Sequence, residues 1–299
     1  MHDTSLKIGV AKATIKREQS KDLNTDYQLQ FPERPAKNMT FELEARKKLL
    51  LDVVRRAGFL VASRFNKIPR HGLKSKSPYE IVTSVDTDSE ALILKAIRQR
   101  FPHDSILSEE TSRQKVLQGF LWIVDPLDGT TNFFIGNPVF TTTIGLAHDG
   151  EIVLGATYHP ITKQLFLVEG GKGFSVNGKK TSVSQTSNLS DAFVAFCHGT
   201  DDASVGKITK IFTRLKPKCR SLRQLGSASF ELALVAAGKV DAFFMPGAKP
   251  WDVAAGSLMV REAGGAVLDF NGDEWTLNSQ HLLACNSEMA KSILPLLRD

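Results

Sequence analysis

The pattern of hydrophobic and polar positions predicts two amphipathic helices in the first hundred residues. Thr40 is placed to cap the first helix, and Pro69 and Gly72 end its region. The second helix is predicted to open at Thr87, with Glu90 completing a capping box. In the first helix, apolar residues recur at helical spacing: Leu43, Leu50, Val53, Val54, Ala57, Leu60 and Val61.

After Pro102 the pattern changes to short apolar segments that turn residues separate. Strands are predicted at 105–107, 121–124, 140–147, 152–158, 164–168 and 174–176. Consecutive strands joined by tight turns are typical of a largely antiparallel sheet. Beyond about residue 190, strands at 193–196, 242–245, 266–270 and 282–285 alternate with helices at 205–215, 228–237, 251–263 and 289–297. The pattern therefore predicts an α+β protein with two sheet-containing halves.

The halves are predicted to meet near residue 188. Residues 1–38 are polar, carry Pro32 and Pro35 and show little periodicity, so a poorly ordered N-terminal extension is expected there. Residues 39–188 are assigned to an N-terminal α+β half and residues 189–299 to a C-terminal α/β half.

Composition narrows the class of protein. The 299 residues include 38 Lys and Arg against 32 Asp and Glu, and this modest, scattered excess argues against a dedicated nucleic-acid binder. No apolar run reaches the roughly 18–20 residues of a membrane span, and the N-terminus lacks the apolar core of a signal peptide. Three widely spaced cysteines indicate free thiols in a reducing, cytoplasmic compartment.

The clearest chemical signal is an apolar strand that ends in two carboxylates, Asp125 and Asp128. Pro126 fixes the backbone between them, and Gly129 lets the backbone approach a ligand closely. Thr130 is predicted to open a helix whose free N–H groups suit a phosphate. Neighbouring acids beside such a helix indicate a divalent cation with phosphate, and Mg²⁺ prefers oxygen ligands of this kind. Alternatively, both acids are turn and capping residues.

Three further segments place carboxylates where they can join this site. Glu109 and Glu110 end a short apolar strand, and Asp86 ends an extended stretch over 81–85. Asp252 lies in the first turn of a helix whose small residues suit close packing. Taken singly, each of these acids is also explained as a helix cap or a solvated side chain.

Two segments together resemble the inositol monophosphatase family: DPLDGTTNF at 125–133 and PWDVAAG at 250–256. SEE at 108–110 and VTSVD at 82–86 precede them in the family's order, and the resemblance covers roughly 40–297. It implies a layered αβαβα sandwich of the inositol monophosphatase and fructose-1,6-bisphosphatase type. It also implies a lithium-sensitive, Mg²⁺-dependent hydrolase of phosphoric monoesters that forms a homodimer.

The resemblance assigns the acidic residues to two or three Mg²⁺ ions. Glu109, Asp125 and the backbone carbonyl of Leu127 are expected to hold the first ion. Asp125, Asp128 and Asp252 are expected to hold the second, and a weaker third ion is expected near Glu109.

The same resemblance assigns the groups that act on the substrate. The N–H groups of Gly129 and Thr130 are expected to bind the phosphate. Asp86 and Thr130 are expected to form a pair that orients the attacking water together with Glu109, without a covalent intermediate.

Substrate contacts are expected from a second part of the chain. Met245 occupies the position from which an acid contacts a sugar hydroxyl in the inositol phosphatases, and nearby Lys249 is a common bacterial variant. A lysine on a mobile loop approaches the metals in the family, and Lys74 and Lys76 are both candidates. The segment that matches the family's ligand-contacting turn is Gly226, Ser227 and Ala228.

The expected function is hydrolysis of a small phosphate monoester, with inositol monophosphate as the first candidate substrate. The alternatives are a sugar phosphate, including fructose 1,6-bisphosphate, or a 3′-phosphonucleotide. A regulatory binding module on the same fold is an alternative from another class. Because Met245 offers no carboxylate to a ring hydroxyl, a broad substrate range is expected.

Asp86-Thr-Asp88 also resembles the motif of phosphatases with an aspartyl nucleophile, which would be a different chemistry. Glu90 stands where those enzymes usually carry Thr or Val, and a capping role accounts for Asp88. We therefore expect Asp88 to be dispensable.

Overall fold

The computed structural model of the protein describes residues 37–67, 74–77, 80–111 and 118–298. The predicted extension lies almost wholly outside these residues. Along the described chain the helices are α1 (Lys37–Arg64), α2 (Ser84–Arg100), α3 (Thr130–Ile135), α4 (Asp202–Leu215), α5 (Ala228–Ala236), α6 (Pro250–Glu262) and α7 (Ser287–Leu297).

The strands form one large sheet, one smaller sheet and a short hairpin. The hairpin pairs β1 (Lys74–Ser77) with β2 (Glu80–Val82). The large sheet contains β3 (Ser105–Ser108), β4 (Phe120–Asp128), β5 (Thr141–His148), β6 (Glu151–His159), β7 (Gln164–Glu169), β8 (Gly173–Val176) and β9 (Lys179–Lys180). The small sheet contains β10 (Phe193–Phe196), β11 (Ser221–Arg223), β12 (Ala242–Pro246), β13 (Ala266–Leu268) and β14 (His281–Cys285).

The large sheet keeps its strands in chain order, and its pairs are antiparallel except that β3 and β4 run parallel. The small sheet has the order β11-β10-β12-β14-β13 and is mixed. The large sheet ends at Lys180 and the small one begins at Phe193, on either side of the expected boundary. The division into two halves itself stays a prediction.

The elements stack in five layers. α1 and α2 cover one face of the large sheet, where Leu50, Ile93 and Ile97 pack with Trp122 and Ile144. α5 and α6 lie between the two sheets, and α4 and α7 cover the other face of the small sheet. This is the αβαβα sandwich that the resemblance implies, so the fold prediction is confirmed. No helix in the described chain is long and apolar enough to span a bilayer.

The small residues of α6 allow this helix to lie directly on the large sheet, as its sequence suggested. A Cβ atom added to Gly155 on β6 would lie 3.0 Å from the Cα atom of Ala255 on α6. A methyl group on the strand would therefore push the helix away, and with it the first turn that carries Asp252.

Two predicted helix starts are wrong. α1 begins at Lys37, because Lys37 and Met39 favour a helix and extend it upstream of Thr40, so Thr40 is not its cap. α2 begins at Ser84, and its cap is Thr83 instead of Thr87. The Thr83 hydroxyl accepts from the Val85 N–H at 3.2 Å, and the carboxylate of Asp86 accepts from the Thr83 N–H at 2.8 Å. Asp86 therefore lies in the first turn of a helix.

Candidate active site

The two acids of β4 are separated by an irregularity that the sequence dictates. Asp125 pairs with Thr143 and Asp128 with Thr141, so the register shifts between the two acids. Pro126 lies within this shift and has no N–H to donate to the neighbouring strand. Gly129 follows at φ 92°, a left-handed conformation that favours glycine.

Asp125 is buried among other acids. Its side chain is 1% exposed, and its Oδ1 accepts a hydrogen bond from the Leu127 N–H at 3.0 Å. Burial raises the pKa of Asp125 well above its ordinary value, and repulsion from Glu109, Asp128 and Asp252 raises it further. Four carboxylates from distant segments are therefore close enough to interact electrostatically, as the sequence analysis expected.

These four acids do not form a ready-made cation cage. Among the residues that the structure describes, no group of three His, Cys, Asp or Glu side chains is arranged to hold a metal ion. The Asp128 carboxylate is hydrogen-bonded to the first turn of α5. It accepts hydrogen bonds from the hydroxyls of Ser227 at 2.7 Å and Ser229 at 2.6 Å.

Asp86 and Thr130 are in direct contact, as expected. The Thr130 hydroxyl lies 2.8 Å from Asp86 Oδ1 and 2.9 Å from the carbonyl oxygen of Leu127. The other oxygen of Asp86 accepts from the Thr83 hydroxyl at 2.6 Å. Burial raises the pKa of Asp86, and its hydrogen bonds with Thr83 and Thr130 oppose that rise by favouring the ionised form.

Glu109 follows β3, and its N–H donates to the Val124 carbonyl at 3.2 Å, which holds it beside β4. Glu90 supports this segment from α2. Its buried Oε1 accepts from the Ser108 hydroxyl, from the Glu110 N–H at 3.1 Å and from the next N–H along the chain at 3.2 Å. Glu90 is therefore no part of a capping box, and this supporting contact escaped the sequence analysis.

Asp252 occupies the first turn of α6, as the sequence predicted. Its Oδ2 accepts from the Lys249 N–H at 3.4 Å, so it also closes the start of the helix. The Lys249 side chain is exposed beside this turn. Asp252 contributes to the raised pKa of Asp125, which places the start of α6 within electrostatic reach of β4.

The turn before α5 lies against the turn before α3. The amide nitrogen of Asn132 on α3 is 2.6 Å from the Leu225 carbonyl oxygen and 2.8 Å from that of Val139, so it ties α3 to the turn before α5. A Cβ atom added to Gly129 would lie 3.1 Å from the Gly226 carbonyl oxygen. The predicted phosphate-binding turn and the predicted Gly226–Ala228 substrate segment are therefore neighbours.

Other predicted substrate residues have different surroundings. Met245 on β12 is 4% exposed and packs in the core between the sheets, so it presents little surface to a ligand. The burial of Met245 therefore does not support the expectation that its side chain contacts the substrate. The side chains of Lys74 and Lys76 lie outside the described part of the structure.

The five-layered sandwich and the acids around the end of β4 define the class: a protein with the inositol monophosphatase fold. The profile of the inositol monophosphatase family matches residues 42–299, and the chain belongs to this family.

Named relatives fall into two groups. The chain is 33% identical over 253 residues to an inositol monophosphatase of Dictyostelium discoideum, covering 83% of this chain and 93% of the relative. It is 35% identical over 251 residues to a Nus factor SuhB of Pasteurella multocida, covering 82% and 93%. A solved structure of the extragenic suppressor protein suhB from Bartonella henselae superposes with a TM-score of 0.79 at 30% identity, covering 85% of this chain and 99% of that one.

Proposed function

We propose that this protein hydrolyses small phosphate monoesters with the help of Mg²⁺, and that inositol monophosphate is one of its substrates. The observation that carries the proposal is the placement of Asp125. It is buried and interacts with three further carboxylates, and the pKa rise that results is one that a divalent cation would reverse. Family membership supports the same reaction class.

The donors present fit Mg²⁺, because they are carboxylate and carbonyl oxygens without nitrogen or sulfur. In this proposal Glu109, Asp125 and the Leu127 carbonyl hold one ion. Asp125, Asp128 and Asp252 hold a second, and a third binds more weakly near Glu109. Bound Mg²⁺ would neutralise the developing charge on the phosphate and make the attacking water more acidic.

The chain's own groups position the water and the phosphate. The Thr130 hydroxyl has a single proton, which the geometry directs to Asp86 or to the Leu127 carbonyl. The Thr130 oxygen can then accept a proton from the attacking water. The hydrogen bond to Asp86 fixes the orientation of the Thr130 hydroxyl and so the direction from which the water proton is accepted. Glu109 is proposed to take the proton that the water loses. The N–H groups of Gly129 and Thr130 are proposed to bind the phosphate oxygens.

A second candidate function is regulatory. The similarity to proteins named Nus factor SuhB favours it, because these relatives match the chain as well as the named phosphatases do. In that case the protein would bind another macromolecule and its catalysis would be secondary. Assembly as a homodimer stays a prediction.

The test is a phosphate-release assay with purified protein and Mg²⁺. The substrates are inositol 1-phosphate, glycerol 2-phosphate, fructose 1,6-bisphosphate and adenosine 3′,5′-bisphosphate. We expect Mg²⁺-dependent release from several of them, with kcat/KM values within about a hundredfold of each other, because Met245 supplies no carboxylate to select a ring hydroxyl. No release from any substrate, in the presence of bound Mg²⁺, would favour the regulatory function.

Cation binding should also change the stability of the protein. The buried, mutually repelling acids destabilise the cation-free form, and a ligand that binds only the folded state raises its melting temperature by mass action. At 5 mM Mg²⁺ we expect an upward shift of several degrees relative to EDTA, which differential scanning calorimetry measures. Equal melting temperatures and equal activity in both buffers would argue against a metal site.

A further inference from the structure

The two oxygens of Asp128 have unequal surroundings. Its Oδ2 receives three short hydrogen bonds, from the hydroxyl of Ser227 at 2.7 Å, the hydroxyl of Ser229 at 2.6 Å and the N–H of Ser229 at 2.7 Å. Its Oδ1 accepts only one, from the Ala228 N–H at 3.2 Å, among the contacts that the structure describes. A carboxylate oxygen offers about two lone pairs, so Oδ2 has no capacity left for a further ligand.

The Ser229 hydroxyl also contacts the Thr141 hydroxyl on β5 at 2.6 Å. This is the shortest contact of Thr141, which lies 3.4 Å from the Ser227 hydroxyl and 3.5 Å from Asp128 Oδ2. Ser229 has one hydroxyl proton, and the Asp128 carboxylate, which would be ionised with the cation bound, can only accept. The Ser229 proton therefore points to Asp128, and the Thr141 hydroxyl must donate to Ser229. Ser229 and Thr141 are both fully buried, so water does not replace either bond. The direction of donation is thus fixed from Thr141 through Ser229 to Asp128.

We propose that Ser229 and Thr141 are positioning residues that fix the orientation of the Asp128 carboxylate, with Oδ2 bound to α5 and Oδ1 left for the second cation. The inference rests on the proposed function, because it takes Asp128 as a cation ligand. A carboxylate whose orientation is already fixed binds a cation without first being ordered. The start of α5 therefore sets the affinity of the second cation site.

The test measures cation binding directly, independently of catalysis. Mn²⁺ is titrated into the full chain, and free Mn²⁺ is followed by electron paramagnetic resonance. Ser229→Ala is expected to weaken one class of bound Mn²⁺ at least about tenfold while leaving the remaining bound Mn²⁺ within about twofold, because a hydrogen bond to a charged group is lost. Ser257→Ala is the matched control, since the buried Ser257 hydroxyl donates to the Val253 carbonyl at 2.8 Å.

A second pair of variants separates positioning from folding. Thr141→Val removes the donor to Ser229 and should weaken the same class of Mn²⁺ about threefold, whereas Thr141→Ser keeps the hydroxyl and should bind like the wild type. If Ser229→Ala does not fold, equal affinities in the two Thr141 variants overturn the inference. Unchanged Mn²⁺ binding in folded Ser229→Ala overturns it as well. A wild-type protein that binds no Mn²⁺ overturns the proposed function along with it.

Discussion

Asp125→Asn should abolish phosphate release and yet stabilise the cation-free protein. The asparagine oxygen can still accept the Leu127 N–H, but it carries no charge to hold a cation. We expect kcat/KM to fall by about 10²–10³-fold or more, the range seen when one charge-stabilising group is removed. Because the folded state raises the pKa of Asp125, the substitution should increase the free energy of unfolding in EDTA at neutral pH.

Asp88→Asn is the matched control. The Asp88 side chain is 49% exposed and lies 3.6 Å from Arg64, so its ion pair is a surface contact of small energy. We expect activity within about twofold of the wild type, unchanged stability and a full response to Mg²⁺. An inactive Asp88→Asn beside an active Asp125→Asn would instead indicate an aspartyl nucleophile in the Asp86-Thr-Asp88 motif. Urea denaturation in EDTA and phosphate release measure both outcomes.

Features encoded in short stretches of sequence were predictable. The apolar run that leads into Asp125 predicts a buried strand, and β4 is buried from Phe120 to Asp128. The small residues of α6 predict close packing on the sheet. The structure confirms it, because a Cβ atom added to Gly155 would lie only 3.0 Å from the Cα atom of Ala255. Both signals depend on the residue types of one segment, which the sequence displays directly.

Choices between equivalent local signals were not predictable. Thr83 with Asp86 and Thr87 with Glu90 both have the three-residue spacing of a capping pair, and only the first is used. The choice depends on contacts with other segments: Asp86 binds Thr130, and Glu90 binds the β3 end at Ser108. The sequence did contain one signal for the role of Glu90. Glu90 lies four residues after Asp86 and thus on the same face of α2, which indicates that both acids face the same side of the helix.

The partners of buried polar residues in α5 could not be predicted from the sequence either. Glu231 is fully buried within this apolar helix, a placement that requires partners. Its Oε1 accepts from the Leu225 N–H at 2.7 Å. Its Oε2 accepts from the thiol of Cys197, which directly follows β10, at 2.8 Å. A partner 34 residues away leaves no local pattern in the sequence.

Glu231 should make the stability of the cation-free protein fall as the pH rises. Burial raises the pKa of Glu231 from its ordinary 4.5 to about 8, and repulsion from Asp128 adds to the rise. Between pH 4.5 and 8 the folded state therefore binds more protons at this site than the unfolded state. A group with this sign lowers the free energy of unfolding as pH rises, by up to about 1.4 kcal/mol per pH unit.

Glu231→Gln should remove this dependence, because its amide can accept from Leu225 without titrating. The wild type and Glu231→Gln should have similar stabilities near pH 4.5, and the variant should become progressively more stable up to pH 8. Urea denaturation in EDTA across this range measures the difference, and the other acids with raised pKa values cancel because both proteins contain them. Parallel curves would show that Glu231 titrates in the folded protein as it does in the unfolded chain.

Glu169→Gln should change the stability at neutral pH in the opposite direction and serves as the control. Glu169 lies 2.9 Å from the Lys47 ammonium and also contacts Lys172, and these charges and hydrogen bonds lower the pKa of Glu169 in spite of its burial. The stability from this acid is present above pH 4.5 and is lost as the pH falls through its lowered pKa. Glu169→Gln should therefore be less stable than the wild type at neutral pH, and Glu231→Gln more stable. Variants that shift stability in the same direction at neutral pH would contradict this account of both acids.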